Sequence, residues 1–270
     1  MNARRLATVA GIVLGALGAG ILISRMGIAN CYYIIAVIYG LMGALVATIN
    51  VTQHRNTIVT PPPFRRAFGE AARLIVDQPG VRTLFIAGLI CEVFAFSFSS
   101  ALPLFAQDVL TTGATGLGTL NAAVSIGGAI AVILLSLIPN HMPRQPLLGA
   151  TFLVYGIAII GLAASHNLFI AATVLLLIGF CAATFDVLQQ TLIQLSVPDE
   201  QRGRAVGVWI LGIGSAPIGH LEMGATAGVL GVSFALLING FLTIISAMIL
   251  LIVAPTYRWK EWLATLNKRG

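Results

Sequence analysis

Long apolar blocks, broken by short polar clusters, divide this chain into eight stretches: residues 7–25, 28–49, 83–106, 113–138, 147–165, 168–194, 204–225 and 230–253. Each is close to or longer than the roughly 20 residues an α-helix needs to cross a ~30 Å hydrocarbon core. Runs such as AAVSIGGAIAVILLSLI show none of the period-two alternation of a barrel strand. In lipid, main-chain polar groups must be satisfied within the spanning element itself. The pattern therefore predicts an all-α, polytopic membrane helical bundle of about eight transmembrane helices.

Composition agrees. Only 9% of residues are charged and 58% are hydrophobic, whereas a soluble domain carries about a quarter charged residues. The opening MNARRLATVAGIVLGALGAGILIS imitates a secretory signal, but its apolar run is too long for a signal core and more spans follow. It reads as a retained first span.

Charge adds topology. The formal net charge is +6, and all 15 Lys and Arg residues except Arg25 fall on one side of the eight-stretch layout. Short loops rich in Lys and Arg face the cytoplasm. Both termini are thus expected inside a bacterial plasma (inner) membrane, and the basic balance is no nucleic-acid footprint. In the longest connection, Phe64, Phe68, Ala71 and Leu74/Ile75 recur at helical spacing opposite Arg65, Arg66, Glu70, Arg73 and Asp77. This predicts an amphipathic helix, either lying on the membrane face or packing on the bundle as a connector.

Ionisable groups inside the spans are costly and normally face the protein interior or a water-filled path. Glu92 lies roughly 15 Å into the third stretch, counting 1.5 Å per residue, with Ser99 and Ser100 on nearly the same face. It is a candidate proton-titrating or cation-binding carboxyl; the structural alternative is a protonated Glu bonded to a neighbouring helix. Asp186, Gln190 and Gln194 form a polar stripe on the sixth stretch, with Gln189 beside it. The stripe reads as a transport path or as a helix-packing network. His220 and Glu222 point in different directions and do not form a ready-made pair. Glu222 is expected at the water interface and His220 is a proton-coupling candidate, with structural roles favoured for both. Asn121 is a weaker cavity candidate.

Catalytic and cofactor chemistry has little to stand on. Cys31, Cys91 and Cys181 are far apart in apolar runs, so no disulfide or metal framework is implied. No Ser/His/Asp or Cys/His arrangement and no HExxH motif occurs, so no enzyme and no cofactor is expected.

The most charged short segment is VPDEQRGRAVG, residues 197–207, between the sixth and seventh stretches. Pro198 disfavours helix in Val197, and Ser196 with Asp199 reads as an N-terminal capping pattern. Gly203 and Gly207 are expected to let the next helix pack closely against a neighbour.

Four segments carry a family likeness: FGEAARLIVDQPGVRTLF, LPLFAQDVLTTGATGLGTL, LIQLSVPDEQRGRAVGVW and SAPIGHLEMGA. Through them the chain resembles the major facilitator superfamily, in its drug and siderophore exporter branch. The order from Pro198 to Arg204 is the most specific of the four. The resemblance implies a secondary active transporter that exports small amphipathic molecules by alternating access, with proton coupling. The eight stretches look like helices five to twelve of a twelve-helix transporter. Residues 1–49 would be the last two helices of the N-terminal bundle and 50–82 a cytoplasmic inter-bundle linker with its amphipathic helix. Residues 83–253 would be the C-terminal six-helix bundle and 254–270 a cytoplasmic tail.

The resemblance also implies that Glu92 and Asp186 sit on the two helices of this bundle that line the central cavity. It suggests a cytoplasmic gate role for Pro198, Asp199, Glu200, Arg202, Gly203 and Arg204. The family's first four helices and its loop motif between helices two and three have no counterpart in these 270 residues. GALGAG at residues 15–20 echoes the antiporter signature without its proline. Alternating access needs two bundles rocking about a midplane site, so a lone copy is expected not to transport. The expected partners are a small-molecule substrate, the lipid bilayer, and a missing N-terminal half or a second copy. The alternative is a truncated, non-transporting remnant or a helix-binding assembly partner.

Overall fold

The computed structural model describes residues 30, 32–48, 64–137 and 144–253. Among them the regular structure is entirely helical. Six helical segments are long and apolar enough to cross a membrane: Pro79–Val109, Thr115–Leu137, Arg144–Ala163, Leu168–Leu195, Arg202–Leu230 and Val232–Ile252. A shorter apolar helix, α1 (Tyr32–Thr48), occupies the second expected stretch, and its side chains are almost all exposed. The first expected stretch, 7–25, lies outside the described residues.

The amphipathic segment folds as α2 (Phe64–Asp77). Its Ala71 and Leu74 are buried, and it packs on the helix that opens the fifth long segment, α8 (Arg202–Ile213). Phe68 and Val76 on the same helix remain exposed.

The first long segment begins at Pro79 rather than at 83. Gln78 is extended (φ −115°, ψ 105°) and Pro79 takes an opening position, where its fixed φ suits a helix and its missing N–H costs nothing. The segment is not one regular helix. It runs as α3 (Pro79–Ile90), a π turn (Cys91–Ala95), α4 (Phe98–Leu104) and a second π turn (Phe105–Val109). Pro103 inside α4 removes one rung of the hydrogen-bond ladder, and the second wide turn follows directly.

The fifth segment is also divided, into α8 and α9 (Ala216–Leu230), where the sequence suggested one run. Gly214 and Ser215 end one helix, and Pro217 opens the next. The two interrupted segments pack together, with Gly219 of α9 set against the main chain of Val93 in the first π turn.

The remaining segments are unbroken: α5 (Gly113–Leu137), α6 (Arg144–Ala163), α7 (Leu168–Leu195) and α10 (Val232–Val253). They pair through small residues, because lipid gives helices no hydrophobic reason to associate and close backbone approach must supply dispersion contact. On α5 and α7, Gly127 faces the Leu176 carbonyl and Gly179 faces the Val124 carbonyl. On α6 and α10, Gly156 and Gly240 each face the other's carbonyl. A side chain at any of the four would strike main chain. Between these pairs lies an aromatic core: the Phe152 and Phe185 rings are 4.9 Å apart, and Tyr155 takes Phe96 edge-on at 5.8 Å.

Candidate transport site

The first π turn fixes where Glu92 stands. A π turn inserts an extra residue and shifts the register of everything on one side of it, a device frequent at functional sites. Glu92, its second residue, is half-buried. It lies close enough to Asp186 of α7 for the two carboxyls to interact electrostatically. The structure thus brings together the two acids singled out on burial cost.

Asp186 is also half-buried, and its Oδ1 accepts a hydrogen bond from Trp209 Nε1 of α8 at 3.2 Å. Gln190 and Gln194 follow at successive turns, both half-buried. Gln189 belongs to another face. It is buried, and its Nε2 donates to the Leu84 carbonyl of α3 at 3.0 Å in a space that Gly88 leaves open. The polar residues of α7 therefore divide into a helix-to-helix tie, Gln189, and a partly accessible stripe of Asp186, Gln190 and Gln194.

Asn121 and His220 are not part of this group. Asn121 is exposed and donates to the Leu117 carbonyl of its own helix. His220 is exposed on α9. Glu222 is half-buried and receives hydrogen bonds from Thr226 Oγ1 at 2.9 Å and from Asn239 Nδ2 of α10 at 3.0 Å.

The charged turn after α7 differs from expectation in two respects. Ser196 serves the helix behind it, donating from Oγ to the Leu192 carbonyl, and Gln201 opens α8 after a short 3₁₀ turn, Asp199–Gln201. At the opening of α8 itself no side chain caps the free N–H groups. Gly203 has open space where its side chain would be, and Gly207 meets only the Ala71 methyl at ordinary distance. Close packing here falls to Ala205 and Val208, both fully buried. Pro198, Glu200, Arg202 and Arg204 are exposed. Arg204 Nε donates to Glu70 Oε2 of α2 at 3.0 Å. Beside that pair is a cavity of about 330 Å³, bordered by Arg73, Asp77, Gln78 and Gln201.

Sequence reading passed over Trp209, Asn239 and Ser97. Asn239 was detectable by the criterion that found Glu92, a polar side chain deep in an apolar run. Trp209 and Ser97 carry no such signal, because indoles and hydroxyls are common in membrane helices.

With this geometry in place, similarity to known proteins decides the family. The model of a family described as transmembrane secretion effector, within the major facilitator superfamily, matches residues 7–265. The chain belongs to this family. It is accordingly an integral membrane protein of a transporter family.

The enterobactin exporter EntS of Salmonella typhi is 24% identical over 257 residues, which cover 93% of this chain and 60% of that exporter. The staphyloferrin A transporter of Staphylococcus aureus (strain NCTC 8325 / PS 47) is 26% identical over 62% of this chain and 42% of its own length. The multidrug efflux pump Tap of Mycolicibacterium fortuitum is 26% identical over 60% of this chain and 40% of the pump. The chain thus spans between 40% and 60% of the length of these relatives. No solved structure matches it significantly.

Proposed function

We propose that this transporter-family chain takes part in proton-coupled export of small amphipathic molecules, drug-like or siderophore-like, by alternating access in a bacterial inner membrane, with both termini cytoplasmic. The observation that carries the reading is that Glu92 and Asp186, two acids of different helices, are half-buried within apolar segments and within electrostatic range of each other. Carboxyls so placed exist to bind something positive, because lipid-embedded charge is otherwise selected against. Glu92 and Asp186 are assigned proton exchange, with Gln190 and Gln194 as amide contacts for substrate along the same stripe. Siderophores and many drugs combine apolar surface with hydrogen-bonding groups, which suits amides beside acids.

In this reading, residues 83–253 are the C-terminal bundle, and α2 belongs to the linker that joins it to the other half. The Arg204–Glu70 pair ties that linker to the start of α8. Rocking of the bundles would load this tie, and the arginines of the turn would act as a cytoplasmic gate.

Transport into inverted membrane vesicles, the equivalent of efflux from the cell, tests the proposal. The chain would be studied alone and together with a separately expressed N-terminal half, with a fluorescent siderophore analogue or a lipophilic dye as cargo. Collapsing the proton gradient should stop efflux, and Glu92→Gln or Asp186→Asn should uncouple it. Cargo movement indifferent to the gradient and to both variants would reject the assignment. Efflux restored by neither a partner half nor a second copy would favour a non-transporting membrane component.

A further inference from the structure

Glu222 is the third half-buried acid inside an apolar segment, and the stripe does not include it. It lies roughly 12 Å from the end of α9 by helical rise, and its partners are Thr226 Oγ1 at 2.9 Å and Asn239 Nδ2 at 3.0 Å. Both are neutral donors, and no Lys, Arg or His is bonded to Glu222 among the described residues. Asn239 is fully buried, and the same Nδ2 also reaches Ser97 Oγ, buried on the first long segment, at 3.1 Å. Ser97 in turn donates to the Phe94 carbonyl, which lies in the π turn that carries Glu92. One network therefore joins α9, α10 and the π turn.

Asn239 is the pivot of this network. Its Nδ2 is shared between Glu222 Oε2 and Ser97 Oγ, so one buried side chain touches both the acid and the first long segment. Glu222 thus holds its carboxyl among neutral donors inside an apolar segment, where an ionisable group is costly and normally has a positive partner or a proton to bind.

We propose that Glu222 is a second proton-binding site of this protein, and that Asn239 and Ser97 relay its charge state to the π turn of Glu92. A proton from solvent adds to the Glu222 carboxylate and gives the neutral acid. The new O–H is donated to Thr226 Oγ1. The Thr226 hydroxyl turns its own proton to the carbonyl one turn back, the bond Thr243 and Ser246 already make in α10. Asn239 then loses its charged acceptor, and its unused Oδ1 can take the Ser97 hydroxyl away from Phe94. The other titratable groups on the elements around Glu222 are Glu92 and Cys91 of the π turn and exposed His220 on its own helix; α4 and α10 carry none. What the bound proton does for transport rests on the function proposed above; that it binds does not.

Infrared difference spectra of the purified chain, reconstituted in lipid and stepped through pH, test the site directly. One protonated-carboxyl carbonyl band should vanish in Glu222→Gln and survive in Glu92→Gln and Asp186→Asn. In Ser97→Ala its titration midpoint should move by about one pH unit, a tenfold change in proton affinity. Glu222→Asp, which keeps the carboxyl if the amide variant does not fold, should shift the band without removing it. A full set of carboxyl bands in Glu222→Gln would overturn the site, as would a band that answers to Na⁺ at constant pH instead of to pH. An unmoved midpoint in Ser97→Ala would overturn the relay. A Glu222 band in protein that shows no gradient-driven efflux would leave the site standing and reject the transport reading alone.

Discussion

Gln189 of α7 reaches across Gly88 of α3 to donate to the Leu84 carbonyl at 3.0 Å, and a methyl at residue 88 would occupy the space of its amide. Polar side chain and glycine therefore form one interlocking unit. Gly88→Ala should lower the thermal unfolding midpoint in detergent, while the same change on a Gln189→Ala background should be close to neutral. Interhelical side-chain bonds in membranes are worth roughly 0.6–2 kcal/mol, so the coupling energy from the four-protein cycle should lie near that range. Additive effects of the two changes would contradict the interlock.

Trp209 supplies the donor that holds Asp186. Trp209→Phe keeps an aromatic ring and removes only the N–H, so the fold should persist while the acid is freed to reorient. Apparent cargo affinity in the efflux assay should fall several-fold. Asp186→Asn should also alter Trp209 fluorescence, which gives a readout independent of transport.

The Arg204–Glu70 pair has its arginine about half exposed, at 52%, and its glutamate at 24%. Pairs this open contribute about 0–1 kcal/mol, so Arg204→Ala should scarcely change stability or insertion. If the tie conveys motion between linker and bundle, efflux should slow, and the swap Glu70→Arg with Arg204→Glu should restore it in part. Full efflux in Arg204→Ala would remove this pair from the gate.

Gly127 and Gly179 bring α5 and α7 into main-chain contact. Replacing Gly179 with Val should cost at least the ~1–3 kcal/mol typical of overpacking, because main chain on the facing helix has nowhere to retreat. The expected signs are reduced yield of folded protein and faster proteolysis. Gly203→Ala, in open space, is the control and should behave as wild type.

The layout of the helices was legible because lipid leaves so few options: an apolar run of sufficient length has to be a helix. The burial cost that makes an intramembrane acid rare also pointed to Glu92 and Asp186 before any coordinates. What sequence could not give was register and direction. The π turns shift the face on which Glu92 appears, and no single residue type announces them. Nothing near Glu222 along the chain points to its interhelical partner, because Asn239 is 17 residues away. Gln189 and Gln190 are neighbours of the same chemistry, yet only packing tells which one ties helices and which lines the stripe. Ser196 shows the same limit on a smaller scale, since a serine between two helices can serve either.

Gly231, with φ at 85°, is the whole of the connection between α9 and α10. Helices joined by a single residue cannot separate at that end, so their ends move together. Thr226 and Glu222 stand on one arm of this hairpin and Asn239 on the other, and the arms close on the bulged turn of the first segment. The hairpin thus holds the acid and its amide partner on two arms that share one joint. A few tenths of an ångström gained or lost at Asn239 would be felt by the short α9 and the membrane-long α10 together, so a change as small as one proton has a way to become a change of shape.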